Sequence, residues 1–226
     1  MKRFSIFGAS GCGRGTLPLV RKHLQLGLAA DDVDLVFVDD SPTASIVNGC
    51  RVLTYKQWMK EPASSRHTNI SISNSTIRQK LVERCISDGV EFFEVRADNV
   101  VQLDDVQLGE GAILFPFVTL TSNIRIGKHF QANLYSYVEH DCVIGDFVTF
   151  APGVKCNGNI VIEDHVYIGA GAVIKQGQPG QPLVIGYGSV VGMGAVVTKS
   201  VPPGATIAGN PARRLISYYL RWYECV

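Results

Sequence analysis

An apolar or small residue recurs at every sixth position between residues 108 and 174 of this 226-residue chain. Neither the period of an amphipathic helix nor the alternation of a half-buried strand produces such spacing. It is typical of a chain that makes a short strand, turns a corner and repeats, with three strands to a coil of eighteen residues. The recurring positions are Leu108, Leu114, Leu120, Ile126, Ala132, Val138, Ile144, Phe150, Cys156, Ile162, Ile168 and Ile174. The pattern predicts a parallel β-helix of about five coils.

Stacked coils bring residues eighteen positions apart into columns, so the pattern also predicts the register between strands. Three columns are expected: Leu108, Ile126, Ile144 and Ile162; Leu114, Ala132, Phe150 and Ile168; and Leu120, Val138, Cys156 and Ile174. The series resumes at Ile185, Val191 and Val197 after a gap of eleven residues, five more than the period. We therefore expect the segment 177–181 to project from the β-helix as an insertion.

The first 96 residues show a different pattern, in which short apolar runs alternate with helical periodicity. Strands are predicted at residues 3–7, 34–38, 69–72 and 91–95, and helices at 16–26, 55–60 and 76–87. Ser75 is expected to cap the last helix and Gly89 to stop it. This alternation, with a glycine-rich first turn, is typical of a small parallel α/β domain of Rossmann-like type. The predicted domains are therefore 1–96 and 97–215, followed by an aromatic tail at 216–226.

The glycine-rich turn at residues 8–13, Gly-Ala-Ser-Gly-Cys-Gly, departs from the G-x-G-x-x-G spacing of dinucleotide-binding turns. Glycines between a strand and a helix let backbone N–H groups approach a ligand, although such a turn can also be merely tight and bind nothing. Asp39 and Asp40 follow the second strand at the carboxyl edge of the sheet, where open α/β sheets bind ligands. Their alternative role is turn chemistry before Pro42, and the residues alone leave both choices open.

Composition and charge exclude several classes of function. A net charge of +1 without a basic run gives no general attraction to nucleic acid or to a membrane surface. No stretch approaches the roughly 20 apolar residues of a membrane span, and the first apolar run is too short for a signal peptide. Six cysteines without paired spacing favour free thiols in a reducing compartment over disulfides or a zinc site. We expect a cytoplasmic protein without a metal.

The repeats close on phrases that resemble the usual closing sequence of the hexapeptide-repeat acyltransferases: Val-Gly-Met-Gly-Ala-Val-Val-Thr at 191–198, Val-Pro-Pro-Gly at 201–204 and Ala-Gly-Asn-Pro-Ala at 208–212. That resemblance implies a left-handed parallel β-helix. With the glycine-rich turn and the Asp-Asp pair, nearly the whole chain, up to about residue 215, resembles the N-acetyltransferases of nucleotide-linked 4-amino sugars of the bacillosamine and perosamine types. Such enzymes serve bacterial glycan synthesis, use acetyl-CoA, and form homotrimers with active sites between subunits.

The resemblance also assigns binding residues. Contacts to the nucleotide sugar are implied for Ser10, Gly11, Cys12, Asp39, Asp40, Ser73 and Thr76, and contacts to acetyl-CoA for Thr149, Ala170, Gly171, Met193 and Gly194. Two residues depart from the family pattern, because Cys12 stands where His is usual and Ser73 where Gly is common. The insertion is expected either to close over the pantetheine arm of acetyl-CoA or to brace a neighbouring subunit. The aromatic tail is expected to pack, with the subunit boundary as one candidate place.

Among five histidines, His140 is the candidate catalytic base. It precedes Asp141 near a predicted corner, where the carboxylate can contact one imidazole nitrogen and leave the other to accept a proton. A surface salt bridge is the alternative. The family resemblance favours catalysis, because the family's base falls in the same phrase before Cys-Val-Ile-Gly. His23 and His67 are expected to be solvated, and His129 and His165 to occupy outward turn positions.

Stacking by eighteen residues places Gly158 directly above His140. The Gly158 backbone N–H is a candidate donor to the thioester oxygen. Asn133, one hexad earlier, is a candidate partner of the incoming amino sugar. Plain corner geometry is the alternative for both residues, because Gly and Asn tolerate positive φ.

Other function classes share the β-helix. Trimeric zinc carbonic anhydrases need three histidines, two of them close in sequence, and no H-x₄-H spacing occurs here. A non-catalytic β-helix with a ligand-sensing domain is a second alternative, against which the His140–Asp141 pair argues. Among enzymes, O-acetylation of a sialic acid is the second candidate. The nucleotide, UDP, GDP or dTDP, and the sugar that carries the amine stay open.

Overall fold

The computed structural model describes residues 1–27 and 33–215. Internal contacts divide the chain into two units. The first contains Met1–Ala97 with Glu110–Ile113, and the second contains Asp98–Gly109 and the residues from Leu114 onward. The predicted aromatic tail at 216–226, which includes Cys225, lies outside the described residues.

The first unit alternates strands and helices around a mainly parallel sheet. Its elements in chain order are β1 (Lys2–Phe7), α1 (Gly11–Gly27), β2 (Val33–Val38), β3 (Ile46–Val47), β4 (Cys50–Leu53), α2 (Tyr55–Lys60), β5 (Ser65–Ile70), α3 (Ser75–Ser87), β6 (Glu91–Phe92) and β7 (Val95–Arg96). The sheet has the order β3-β4-β2-β1-β5-β6, with β1 parallel to both neighbours and only β3 antiparallel to its partner. The strand–helix alternation predicted for this part of the chain is therefore present.

Several boundaries in this unit differ from the prediction. β5 starts at Ser65 instead of 69, because its polar first residues make specific contacts. The His67 ring stacks on Phe4 with centroids 4.7 Å apart, and its Nε2 lies 2.9 Å from the Ser65 hydroxyl. The expectation that His67 is solvated in a loop was therefore wrong. α1 begins at Gly11 instead of 16, so its first turn includes the second half of the glycine-rich segment 8–13.

Two local signals were misassigned or overlooked. The cap of α3 is Asn74 instead of Ser75, because the Asn74 side-chain oxygen accepts a hydrogen bond from the Ile77 N–H at 3.0 Å. The β3–β4 hairpin was not predicted. Its turn is Asn48-Gly49, with φ of 48° and 70°, and this dipeptide is a strong hairpin signal in a sequence.

The rest of the chain is built from strands of two or three residues. In chain order they are β8 (Val101–Gln102), β9 (Val106–Leu108), β10 (Ile113–Leu114), β11 (Thr119–Leu120), β12 (Ile124–Ile126), β13 (Gln131–Ala132), β14 (Tyr137–Val138), β15 (Val143–Ile144), β16 (Thr149–Phe150), β17 (Lys155–Cys156), β18 (Ile160–Ile162), β19 (Tyr167–Ile168), β20 (Val173–Ile174), β21 (Leu183–Ile185), β22 (Val190–Val191), β23 (Val196–Val197), β24 (Thr206–Ala208) and β25 (Arg213–Arg214). None of the helices in the described part of the chain has the length and apolar character needed to span a bilayer.

These strands stack into three faces of a parallel β-helix. One face carries β9, β12, β15, β18 and β21; the second carries β8, β11, β14, β17, β20 and β23; and the third carries β10, β13, β16, β19, β22 and β24, with β25 antiparallel to β24. From β8 to β23, every third strand therefore lies on the same face. The predicted winding of three strands to a coil is confirmed.

The predicted columns are confirmed from Leu108, Leu120 and Ala132 onward. Paired positions run Leu108–Ile126–Ile144–Ile162 on one face, Ala132–Phe150–Ile168 on another and Leu120–Val138–Cys156–Ile174 on the remaining one. Beyond the insertion the register resumes, with Ile162 paired to Ile185, Ile168 to Val191 and Ile174 to Val197. These inward side chains form a continuous buried core.

The insertion at 177–181 is a tight hairpin. The backbones of Gln178 and Gln181 exchange two hydrogen bonds, of 3.1 and 2.9 Å, and Gly180 has a φ of 75°. The Gly177 N–H donates to the Gly158 carbonyl at 3.0 Å, and the Leu183 N–H donates to the Asn159 carbonyl at 3.2 Å. The hairpin therefore leaves the β-helix at the corner where the chain passes Gly158.

Each of the three corners places one residue per coil in the left-handed region of φ. We name them by these residues: the polar corner (Asp105, Asn123, Asp141 and Asn159), the ring corner (His129, Phe147 and His165) and the glycine corner (Phe117, Tyr135, Gly153, Gly171 and Gly194). Asn, Asp and Gly are the residues that adopt this conformation most readily. At the ring corner, stacking between successive coils accompanies the strained backbone.

His129 does not have the outward position that the sequence suggested. It is 1% exposed, and its ring stacks on Phe147 with centroids 5.3 Å apart. Phe147 in turn stacks on His165 at 5.2 Å. A corner side chain becomes buried when rings from the adjacent coils cover it, which a single coil's sequence does not indicate.

Candidate active site

His140 and Asp141 lie together at the polar corner, between β14 and β15. The φ of Asp141 is 57°, and this left-handed conformation turns its side chain towards His140 instead of to the opposite face. The distance from His140 Nδ1 to Asp141 Oδ2 is 2.7 Å. The contact predicted from the sequence is therefore present.

The environment keeps Asp141 ionised and defines the protonation of His140. Hydrogen bonds from His140 and from Asn123, with the nearby His140 charge, hold the pKa of Asp141 below its usual range. An ionised carboxylate only accepts hydrogen bonds, so His140 Nδ1 carries the hydrogen. In a neutral imidazole the lone pair is then on Nε2, and the His140 side chain is 40% exposed. Nε2 is thus an accessible proton acceptor.

Gly158 lies against the His140 imidazole, as the eighteen-residue stacking predicted. A Cβ at this position would be 2.5 Å from His140 Cε1 and 2.6 Å from Nε2. A side chain at 158 is therefore incompatible with the observed ring position. Glycine is required here by a close approach, and not by a left-handed φ, so plain corner geometry does not explain it.

Two further contacts hold the His140 backbone. The Asn159 N–H donates to the His140 carbonyl at 3.0 Å. The buried Cys142 thiol lies 3.2 Å from the Asn157 carbonyl and 3.6 Å from that of His140, so it bridges successive coils. Sequence reasoning treated Cys142 only as a free thiol. Its position two residues before the inward Ile144 was the signal that it is buried at this corner.

The other predicted β-helix residues lie away from the polar corner. Asn133 lies on the glycine corner, where its side-chain oxygen accepts from the Leu134 N–H at 2.8 Å. Ala170, Gly171, Met193 and Gly194 share that corner, and the Gly194 N–H donates to the Ala170 carbonyl at 2.8 Å. Thr149 is buried in β16. Within one chain the structure therefore brings Gly158 to His140. It leaves Thr149 on a strand, and Asn133 and the other four predicted acetyl-CoA residues at a different corner.

The glycine-rich turn of the first unit contains glycines of two kinds. Gly8 has a φ of 101°, and a Cβ on Gly13 would overlap the Gly8 carbonyl oxygen, so the tight turn itself requires both. A Cβ on Gly11 would meet no atom within 4 Å. The fold does not require glycine at 11, which leaves open space beside the N-terminus of α1. Next to it, burial raises the pKa of the half-buried Cys12 thiol.

The two aspartates after β2 accept hydrogen bonds from other residues of the first unit. Asp39 accepts hydrogen bonds from the Ala9 N–H at 3.1 Å and the Ser41 N–H at 2.9 Å. Asp40 accepts from the Tyr55 N–H and from Arg84 Nη1, both at 2.8 Å. The turn role that the sequence left open is therefore observed for Asp39, whereas Asp40 binds groups that are distant in the sequence. Carboxylate oxygens have further lone pairs, so these contacts are compatible with a ligand.

The remaining predicted substrate residues lie at the same edge of the sheet. Ser10 follows β1, and Ser73 and Thr76 follow β5, which is adjacent to β1. All three are exposed. The carboxyl ends of β2, β1 and β5 thus bring together every residue that the resemblance assigned to the nucleotide sugar.

Among residues 1–27 and 33–215, no group of three or more His, Cys, Asp or Glu side chains could hold a metal ion. The cysteines in the same ranges are free thiols: Cys12, Cys50, Cys85, Cys142 and Cys156.

Known proteins resemble the chain over nearly its whole length. GDP-perosamine N-acetyltransferase of Escherichia coli O157:H7 is 50% identical over 215 residues, which cover 95% of this chain and 97% of that protein. The structure of WeeI from Acinetobacter baumannii AYE is 54% identical and superposes with a TM-score of 0.91 over 95% of this chain and 100% of its own. No protein-family model matches.

A more distant structure has the same architecture. The acetyltransferase domain of PglB from Neisseria gonorrhoeae FA1090, solved with acetyl coenzyme A, is 25% identical, with a TM-score of 0.80 over 94% of this chain and 98% of its own. These relatives, together with the hexapeptide coils, show that the chain is an acyltransferase of the hexapeptide-repeat class. Within it, the chain belongs to the family of acetyl-CoA-dependent sugar N-acetyltransferases.

Proposed function

We propose that this enzyme acetylates the 4-amino group of a nucleotide-linked amino-deoxy sugar of the perosamine type, carried by GDP, for a bacterial surface glycan. The observation that carries the substrate is the 50% identity to GDP-perosamine N-acetyltransferase over 95% of the chain, which includes both units. A bacillosamine-type sugar carried by UDP is the neighbouring possibility within the same chemistry. Free thiols and the use of acetyl-CoA support a cytoplasmic location.

His140 is the general base of the proposed mechanism. The sugar amine attacks the thioester carbonyl carbon, and His140 Nε2 takes the proton that the amine loses. Asp141 holds the Nδ1–H and stabilises the resulting imidazolium, while the Gly158 N–H is placed to donate to the developing oxyanion. The carbon–sulfur bond then breaks, and the imidazolium returns the proton to the departing CoA thiolate. General-base help of this kind contributes about 10²–10⁴ in rate.

The active site of this proposal lies between subunits of a homotrimer. His140 is on the polar corner, whereas Asn133 and the predicted acetyl-CoA residues Ala170, Gly171, Met193 and Gly194 are on the glycine corner. If a neighbouring subunit packs its glycine corner against the polar corner of this chain, the predicted acetyl-CoA residues of that subunit lie beside His140 of this one. The exposed apolar side chains of the glycine corner support this arrangement, since Phe117 is 50% exposed, Tyr135 64% and Met193 72%.

The N-terminal domain, residues 1–96, is proposed to be a Rossmann-like nucleotide-sugar site, and residues 97–215 a left-handed β-helix that carries out the transfer. Gly11 supports the first assignment, because open space beside it at a helix N-terminus suits an approaching phosphate. Cys12 and Ser73 lie at this edge as well, so they are the positions at which the specificity for the sugar nucleotide is expected to differ from that of relatives.

The test is CoA release from acetyl-CoA with 4-amino-6-deoxy sugars linked to GDP, UDP or dTDP. We expect the highest kcat/KM with the GDP sugar, and a loss of about 10²–10⁴ in His140→Ala. Turnover with free sialic acids alone would replace the substrate assignment by O-acetylation. Undiminished turnover in His140→Ala would remove the base assignment.

A further inference from the structure

We propose that Asn123 is a positioning residue for the catalytic base. Its side chain and those of Asp141 and His140 form one chain of hydrogen bonds, which we call the relay. The inference rests on the proposed function, since it concerns His140 as base. Asn123 Nδ2 donates to Asp141 Oδ1 at 3.2 Å, while His140 Nδ1 donates to Asp141 Oδ2 at 2.7 Å. The two donors use different oxygens, so together they define both the position and the plane of the carboxylate.

The relay follows from the geometry of the coils. Asn123 and Asp141 are eighteen residues apart, occupy the same corner in successive coils, and have φ of 56° and 57°. Their side chains therefore leave the corner in parallel directions. The Asp141 N–H also donates to the Ser122 carbonyl at 3.1 Å, which holds the two corners together.

The Asp141 carboxylate needs such support because it is exposed. Its side chain is 47% exposed, and an exposed carboxylate exchanges readily between rotamers and water contacts. An amide is suited to the task, since it donates a hydrogen bond without adding charge. The Asn123 bond also contributes to the lowered pKa of Asp141, after the larger contribution of His140.

Other ionisable groups lie near the relay, among them the buried Cys142 thiol, 3.6 Å from the His140 carbonyl. Glu139 belongs to the same corner, and Asp105 lies one coil below Asn123, where it forms an ion pair with Arg125 at 2.9 Å. Asp105 shares the left-handed conformation, with a φ of 48°, but lies two coils from Asp141. It therefore offers a matched control at the same corner.

The variant that isolates the amide is Asn123→Gly, because glycine keeps the left-handed backbone and removes the side chain. We expect kcat to fall about tenfold, because losing a hydrogen bond to a charged group typically costs enough free energy to slow a reaction by about that factor. The KM for acetyl-CoA should stay within about twofold of the wild-type value. Asp105→Gly should retain the wild-type kcat.

Asn123→Asp should shift the acid limb of the pH profile of kcat/KM to higher pH than in Asn123→Gly, because a second carboxylate stabilises the imidazolium.

Two results overturn the inference: a wild-type kcat and acid limb in Asn123→Gly, or an equal loss of kcat in Asp105→Gly. His140→Ala, measured in parallel, shows whether the role of Asn123 alone is wrong or whether the assignment of His140 as the base is wrong as well. An inactive His140→Ala beside a fully active Asn123→Gly removes only the relay. A fully active His140→Ala removes the base itself, whatever Asn123→Gly does. If both assignments hold, adding Asn123→Gly to His140→Ala produces no further loss.

Discussion

Residues that pair along a face of the β-helix are usually eighteen positions apart, whereas residues that pair between parallel strands of the N-terminal sheet are separated by 15, 24, 31 or 63. The first separation repeats along the chain and is visible in the sequence. The second kind depends on the lengths of helices and loops between strands. The two regions therefore differ in how much of a functional site is readable before a structure exists.

The glycines show the same difference between the two regions in how readily their contacts can be predicted from the sequence. At Gly158 the eighteen-residue period identified the close neighbour, His140, and the structure added the distance. In the glycine-rich turn the family resemblance assigned a ligand contact to Gly11, but no local pattern distinguished the packing of Gly11 from that of Gly13. Only the folded turn shows that Gly13 packs on the Gly8 carbonyl while Gly11 adjoins open space.

The largest expected effect separates these two turn glycines. Gly13→Ala should lower the free energy of unfolding by about 3 kcal/mol, because its Cβ overlaps the Gly8 carbonyl and the backbone must shift. Gly11→Ala should unfold at or above the wild-type temperature, since Ala favours a helix over Gly. Its KM for the sugar nucleotide should nevertheless rise. Thermal unfolding and steady-state kinetics of both variants decide this, and a Gly11→Ala enzyme with unchanged KM contradicts a ligand at that position.

Gly158→Ala tests the corresponding approach in the β-helix. The added methyl group must displace the imidazole, which it would otherwise meet at 2.5 Å. We expect kcat to fall about 10²-fold, as misplacement of a reacting group by about 1 Å typically costs that much. In a His140→Ala background the same substitution should leave the melting temperature unchanged. A destabilised double variant would mean that Gly158 is needed for packing against other atoms.

The smallest effect is expected from removing the hairpin. Excision of residues 177–181 restores the eighteen-residue spacing, for example between Ile162 and Ile185. The melting temperature should stay within about 4 °C, because shortening a surface loop changes stability little. A loss of cooperative unfolding would show that the hairpin, and not the period alone, holds the last coils in register. Kinetics of the same variant will report whether the KM for acetyl-CoA depends on the hairpin.

Most of the proposed catalytic centre was readable from the sequence. The pairing of His140 with Asp141 and the stacking of Gly158 both followed from the position of the corner in the repeat. Asn123 was overlooked, although it lies one coil before Asp141 and the period points directly to it. Asn133 and four of the five predicted acetyl-CoA residues lie on another corner of the β-helix, so the proposal connects them to the base only through a neighbouring subunit.

The proposed nucleotide-sugar site was less accessible to such reasoning. Asp39 and Asp40 were found as a pair, yet their partners Ala9 and Arg84 lie 30 and 44 residues away. No periodicity connects these positions. The burial of His129 had a different cause. Its position in the repeat predicted an outward side chain, but Phe147 of the next coil stacks on the ring and shields it from solvent.

By itself, the sequence determined the winding of the β-helix, its register and the residue pair at its corner, because identical steps of six residues repeat one local geometry and let each coil specify the next. Tertiary structure alone decided which strands meet in the N-terminal sheet, which turn glycine packing requires and which corner side chains become buried. Those outcomes depend on atoms brought together across unequal stretches of chain, where no local pattern records the partner.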